Sequence, residues 1–278
     1  MNTAAADRVQ RMQLEDGRTL AWAEYGAPRG APVFYFHGGG ACLIEAGCFD
    51  RDAREAGIRL IAPSRPGALH STPRPGMQPT DFAADCAELA THLGIDRFVV
   101  TGNSNGGLFT MAVAHQLPER VIAAVPINST VPVYHPAVWP VVPWSLKAVM
   151  LFFRAFPAVF VPLNRMAVKK RKDQLFPKSV EPEIAQIYLD NLESVSQESM
   201  LPEIGFMNRR WDFDHRAIRC PVRILYGVED LGRCYGPRWA AELPDAEFIA
   251  IPDAHLPIAP AARRVLVSTW RTLSDGGT

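Results

Sequence analysis

Short apolar runs alternate with longer stretches of helical periodicity along most of this chain. The runs Leu20–Tyr25, Val33–Phe36, Ile58–Ala62, Phe98–Thr101, Val121–Ile127, Val222–Tyr226 and Phe248–Ile251 are rich in β-branched and aromatic residues and predict strands. Between them, helical patterns end at Gly57, run from Thr80 to Leu93 ahead of Gly94, and run from Gly107 to Leu117 ahead of Pro118. Apolar strands separated by helices predict an α/β fold: a mostly parallel sheet covered by helices on both faces.

The alternation fails between Val131 and Asp214, where several helical patterns and many prolines occur without a strand. This divides the chain into a core, residues 1–130 and 215–278, and a helical insertion, residues 131–214, placed over the sheet. The first half of the insertion holds Trp139, Trp144, Phe152, Phe153, Phe156 and Phe160. Leu146, Val149, Met150, Phe153 and Pro157 recur at roughly helical spacing and give one apolar face, expected to border a roomy apolar pocket. The basic run Lys169-Lys170-Arg171-Lys172 reads as a solvated helix face.

Charge and composition narrow the classes. Lys and Arg number 29 against 29 Asp and Glu, so no basic surplus points to nucleic acid. The most apolar stretch, Val141–Val161, is interrupted by Pro143, Lys147, Arg154 and Pro157, which argues against a spanning helix and stable membrane insertion. Met1–Gln13 carries Asp7, Arg8 and Arg11 without an apolar run, unlike a signal peptide. Five cysteines, at 42, 48, 86, 220 and 234, form no CxxC pair. Reduced thiols in a cytoplasmic protein are the expectation, with no disulfide framework and no structural zinc. No HExxH run, Cys–His cluster or dinucleotide fingerprint is present, so neither a metal nor an organic cofactor is expected. A homodimer is compatible with the sequence, which does not fix the oligomeric state.

The sharpest chemical signal is Gly102-Asn103-Ser104-Asn105-Gly106, set between a predicted strand and a predicted helix. G-x-S-x-G in that setting is a nucleophile elbow. The sharp turn lifts a serine Oγ above the sheet, and the helix N-terminus directs backbone N–H groups at a developing oxyanion. A serine needs a base, and among seven histidines His255 stands in the loop after the last strand, on the edge where Ser104 points. Asp230, just past the strand Val222–Tyr226, is the expected acid, with Glu229 its competitor. The other position for an acid, after Ile127, holds Asn128. His37-Gly38-Gly39-Gly40 follows the strand Val33–Phe36, and the amides of Gly39 and Asn105 are the expected oxyanion donors. His37 braces that loop. With Gly38, Gly40 and Asn103 it borders the expected substrate space, to which the insertion adds Trp139, Trp144 and Phe153.

These motifs, together with Arg65-Pro66-Gly67, the Asp85 helix before Gly94-Ile95, Leu117-Pro118-Glu119-Arg120-Val121 and Cys220-Pro221-Val222, resemble the lid-bearing branch of the α/β-hydrolase superfamily. The resemblance implies mainly parallel strands with a helical lid after the sixth. Three departures alter the walls of the site: Ala62-Pro63-Ser64 stands where Ala-Pro-Asp is usual, Gly67-Ala68-Leu69-His70-Ser71 where Gly-x-Gly-x-Ser is usual, and Ala254 where a glycine precedes the histidine. An aspartate nucleophile, as in epoxide hydrolases and haloalkane dehalogenases, is absent. So are the Gly-Asp-Ser-Ala-Gly of hormone-sensitive-lipase-like esterases and the Gly-Gly-Ser-Trp-Gly of proline iminopeptidase-like members. The expected activity is that of an esterase-type serine hydrolase acting on a small apolar carboxylic ester, lactone or thioester. Carbon–carbon hydrolysis, lyase or cofactor-free chemistry on the same triad remains an alternative, as does a non-catalytic ligand-binding member of the fold.

Overall fold

The computed structural model describes residues 8–131, 136, 139–156, 159, 163, 166, 176, 178–195, 203, 205–206, 210–252 and 255–276. Eight strands form one sheet: β1 (Gln10–Gln13), β2 (Thr19–Gly26), β3 (Ala31–Phe36), β4 (Ile58–Pro63), β5 (Phe98–Asn103), β6 (Val121–Ile127), β7 (Val222–Gly227) and β8 (Ala246–Ile251). Their order across the sheet is β1-β2-β4-β3-β5-β6-β7-β8. β2 runs against both its neighbours, and every pairing from β4 to β8 is parallel. From β3 the chain winds first outward to β4 and then back to β5, so β3 and β5 flank a reversal of strand order. A crevice opens at the carboxyl ends of strands at such a reversal. Both the glycine loop after β3 and the elbow after β5 lie on its rim.

Along β3, Phe34 and Phe36 face one core, while Val33 and Tyr35 face the other, as the two-residue period of a strand dictates. The first core is closed by α2 (Phe82–His92), α3 (Asn105–Gln116) and Trp239 of α6 (Gly236–Ala240). The second is closed by α1 (Asp50–Glu55) and α7 (Pro260–Asp275), with Trp270 fully buried and its indole N–H donating to Thr101 Oγ1 at 3.1 Å. Phe98 packs on Phe34 at 4.3 Å between ring centroids, and truncating such a side chain typically costs about 3–5 kcal/mol. The sequence reading lacks β1, α6 and α7. β1 is a short polar edge strand with no apolar alternation, and α7 carries its buried face at only Ala262, Arg263, Leu266, Val267, Trp270 and Ser274 among charged neighbours.

Two further helices, α4 (Trp144–Ala155) and α5 (Pro182–Glu193), come from the segment after β6. α5 is tied to the core at both ends. Asn191 accepts from the Cys42 amide at 2.7 Å. Glu181, just before the helix, pairs with Arg263 of α7 at 2.8 Å, and Arg263 also holds Asp52 of α1 at 2.7 Å. Those hydrogen bonds lower the Glu181 carboxyl to about 2. α4 is different: Met150 reaches the first core, but most of its other described side chains are exposed. Among the described residues no helix is long and apolar enough to cross a membrane.

Candidate active site

Ser104 joins β5 to α3 with φ 53° and ψ −118°, a conformation that costs a non-glycine residue of order 1–3 kcal/mol. Local bonds hold it there. The Ser104 amide donates to Ile127 O at 2.9 Å, and its carbonyl accepts from Gly107 and Thr130 at 3.0 and 3.2 Å. The two glycines of the motif are demanded by contact. A Cβ on Gly102 would lie 2.5 Å from the Gly106 carbonyl oxygen, and one on Gly106 would drive into the carbonyl oxygen of Phe36.

The structure brings Asp230 and His255 together. Asp230 follows β7; its Oδ1 accepts the Gly232 amide at 2.6 Å and its Oδ2 accepts His255 Nδ1–H at 2.6 Å. The aspartate side chain is 6 % exposed, whereas the histidine is 54 % exposed. Glu229 points into solvent. No hydrogen bond joins Ser104 Oγ to His255 in this conformation among the described contacts. Asn128, at φ 42° after β6, ties the strand ends together. Its Oδ1 accepts the Gly227 amide at 2.8 Å and its Nδ2 donates to the His255 carbonyl at 2.9 Å. An amide serves both bonds because it carries an acceptor and a donor; a carboxylate would lose the second.

The loop His37–Gly40 is gripped from two sides. Glu45, in the 3-10 turn Leu43–Phe49, accepts the Gly38 amide at 2.6 Å and Asn103 Nδ2 at 3.2 Å. Complete burial pushes the Glu45 carboxyl up, against the hydrogen bonds that favour its ionised form. On the other side Arg65, 1 % exposed, donates to the carbonyls of His37 at 2.6 Å and Gly38 at 2.9 Å. Burial and the Arg65 charge hold the His37 imidazole far below its usual value, so it is neutral. Both ring nitrogens face Arg65, its backbone N–H at Nε2 (3.3 Å) and its Nη2 at Nδ1 (2.9 Å), and Nδ1 also lies 3.0 Å from the Gly38 carbonyl oxygen. The Phe109 ring lies against the Arg65 guanidinium, 4.6 Å from centroid to Cζ.

Arg65 is neutralised by Glu203, which belongs to the segment read as the insertion: Nε donates to Oε1 at 2.6 Å. The same glutamate accepts Asn105 Nδ2 twice, at its backbone oxygen (2.9 Å) and at Oε2 (3.0 Å). Asn105 in turn lies against Gly39, where an added Cβ would meet Nδ2 at 2.9 Å. Gly39 thus lies beside the Asn105 side chain, and neither residue's backbone N–H donates to another described residue. Gly38 cannot join them, since its N–H is committed to Glu45.

Of the residues expected on the substrate side, His37, Gly38, Gly40 and Asn103 all lie at this rim, where His37 and Asn103 are buried. Trp139 is half-buried, packs on the first core and carries Lys147 over its ring at 5.0 Å. Trp144 is 81 % exposed, a surface position and not the wall of an enclosed pocket. Likewise Val149, expected on a buried apolar face, is exposed, while Met150 is packed. The side chains of Leu146 and Phe153, and residues Pro157 and Phe160, fall outside the described set. Glu45 and Glu203 were not read from the sequence, and Arg65 was read only as part of a motif. Among the described residues no cluster of three or more His, Cys, Asp or Glu could hold a metal ion.

Residues 31–191, more than half the chain, match the sequence model of the α/β hydrolase fold family, and the chain belongs to that family. It is 34 % identical over 124 residues to a proline iminopeptidase of Xanthomonas citri, covering 40 % of this chain and 38 % of that enzyme. A proline iminopeptidase of Neisseria gonorrhoeae is 31 % identical over 116 residues, 40 % and 36 % of the two chains. The similarity thus spans well under half the length of these relatives, and it occurs although their branch was set aside on its elbow motif. Among solved structures, a thermophilic esterase from Thermogutta terrifontis superposes with TM-score 0.73 at 22 % identity, covering 97 % and 99 % of the chains. A carboxylesterase from Nitrososphaera gargenis gives 0.75 at 16 % identity, covering 97 % and 100 %. A proline iminopeptidase from Mycobacterium smegmatis gives 0.69 at 17 % identity, with the same coverage.

Proposed function

We propose that the chain is a serine hydrolase that cleaves a small apolar carboxylic ester, lactone or thioester through an acyl-enzyme on Ser104. The observation that carries this reading is the 2.6 Å Asp230–His255 hydrogen bond on the same sheet edge as the strained elbow at Ser104. In the reaction, Oγ attacks the carbonyl carbon while His255 Nε2 takes its proton. Asp230 holds Nδ1–H and stabilises the imidazolium. The Gly39 and Asn105 amides donate to the tetrahedral oxygen. The imidazolium proton then passes to the leaving alkoxide or thiolate. Water, deprotonated by the same histidine, releases the acid. His255 is exposed and no hydrogen bond to Ser104 is present among the described contacts, so the reactive geometry requires a side-chain or loop adjustment, as is common before substrate binds.

A second reading, amide hydrolysis at an N-terminal proline, is favoured by the partial similarity to proline iminopeptidases. One experiment separates them. The purified chain is assayed on p-nitrophenyl esters of increasing acyl length and on prolyl p-nitroanilide, with Ser104→Ala as blank and a fluorophosphonate probe to count activated serines. Ester turnover lost in the blank, with one probe bound at Ser104, supports the proposal. Prolyl anilide as the better substrate by kcat/KM replaces it with the second reading. Failure of the probe to label Ser104 refutes both.

A further inference from the structure

We propose that the exposed face around α4 docks onto an anionic lipid surface. Of the nine large apolar side chains that stand exposed among the described residues, all but Val228 lie between Trp144 and Met166. Such a concentration of exposed apolar side chains marks an interaction site. Helix α4 shows it on several sides at once: Trp144 is 81 % exposed, and Leu151, Phe152 and, just past its end, Phe156 are about half exposed. Such a helix does not find enough core of its own to cover.

Charge identifies what covers it. The whole chain is neutral, yet between Val131 and Val180 it carries Lys or Arg at eight positions and a single acid, Asp173. Lys147 and Arg154 lie on α4 itself, and no acidic residue does. An isologous contact with a second copy through α4 would bring Lys147 and Arg154 of both copies into one interface without an acidic residue of the helix to balance them. A nucleic-acid backbone would satisfy the charge but leave the tryptophan and phenylalanines in water. Cationic groups beside tryptophan and aliphatic side chains fit the boundary between anionic headgroups and acyl chains. Twelve residues of helix are about 18 Å long, too short to span a bilayer, so the contact lies along the surface.

The test uses the full chain with vesicles of phosphatidylcholine alone or mixed with phosphatidylglycerol, followed by flotation. The expected result is binding to the mixed vesicles only, weakened by added salt. A blue shift of tryptophan emission should accompany it and be missing in Trp144→Ser. Lys147→Gln with Arg154→Gln should weaken binding by about fivefold for each charge removed. Trp144→Ser with Phe152→Ser, both at exposed positions, should weaken it further while leaving the melting temperature unchanged. The proposal is overturned if the mixed vesicles do not bind the chain at low ionic strength, or if neutral vesicles bind equally well. It is also overturned if binding to polyglutamate matches that to vesicles and ignores the Trp144 and Phe152 changes. A dimer in solution that dissociates on those changes would assign the face to a second copy instead.

Discussion

Glu203→Ala tests whether the proposed oxyanion site depends on the segment after β6. Arg65 is 1 % exposed and its guanidinium holds the carbonyls of both His37 and Gly38, with Glu203 as its bonded counter-charge. Removing one partner of a buried ion pair typically costs about 3–5 kcal/mol, because the remaining charge is left without compensation. Arg65 has two ways to relax. It can stay, in which case the fold bears that cost, or it can swing toward solvent, which frees the loop carbonyls and lets the Gly39 amide drift. Asn105 meanwhile loses Oε2 and keeps only the backbone oxygen of residue 203. Loss of one oriented oxyanion donor is worth about a hundred- to a thousandfold in kcat. We therefore expect urea denaturation to show a stability loss of about 3 kcal/mol or more, and kcat on the best ester to fall at least about a hundredfold with a smaller change in KM. Glu203→Gln keeps an acceptor for Arg65 and should recover part of both. The double variant Arg65→Met/Glu203→Met, which leaves no orphaned charge, should be less destabilised than Glu203→Ala alone. Stability within about 1 kcal/mol of the parent, together with unchanged kcat, would refute the reasoning and make the Arg65–Glu203 pair incidental.

The remaining expectations are narrower. Asp230→Asn should lower kcat by about ten-thousandfold by losing the charge that orients His255, while Glu229→Gln, in solvent, should do little; steady-state kinetics showing the reverse ranking would move the acid to Glu229. Glu45 has a raised folded-state value, so the folded chain keeps a proton that the unfolded chain releases, and stability falls as pH rises from 4.5 toward that raised value. Each pH unit in that window costs about 1.4 kcal/mol. Melting curves of Glu45→Gln against the parent should therefore diverge with rising pH, and parallel curves would remove Glu45 from the account. Burial drives the thiols of Cys42 and Cys220 up to about 12 and raises those of Cys48 and Cys86 as well, so exposed Cys234, though its own thiol is also raised by partial burial, is the one expected to react with a thiol reagent under native conditions; fast reaction of several cysteines would contradict the packing.

How far the site could be read in advance depended on how each part is encoded. Ser104, its flanking glycines and the glycine loop after β3 are local: a strand, a tight turn and a helix within a few residues leave a pattern that steric contact alone enforces. Asp230 and His255 were legible one step further out, because a loop after a parallel strand must emerge at the same sheet edge. Neither rule reaches Glu203. It lies 138 positions from Arg65, in a stretch with no strand to fix its place, and nothing in its neighbours marks it. The available clue lay at the other end. An arginine directly after strand β4, at the edge where the glycine loop emerges, has no water to solvate it once the sheet is covered, and a buried guanidinium requires a carboxylate. That argument demands a partner without naming one. Glu45 escaped for a related reason, since a lone acid in an apolar 3-10 turn reads as a surface residue until the turn is folded beneath the loop. The aromatic stretch of α4 misled in the opposite direction: its periodicity forecast a helix correctly, but periodicity identifies a face without saying what covers it, and Trp144 and Val149 proved exposed. Local backbone rules therefore carried the placement of Ser104, Asp230 and His255 on one sheet edge, while the ion pairs that hold the loop after β3, being long-range and chosen by burial, became visible only when the chain was folded.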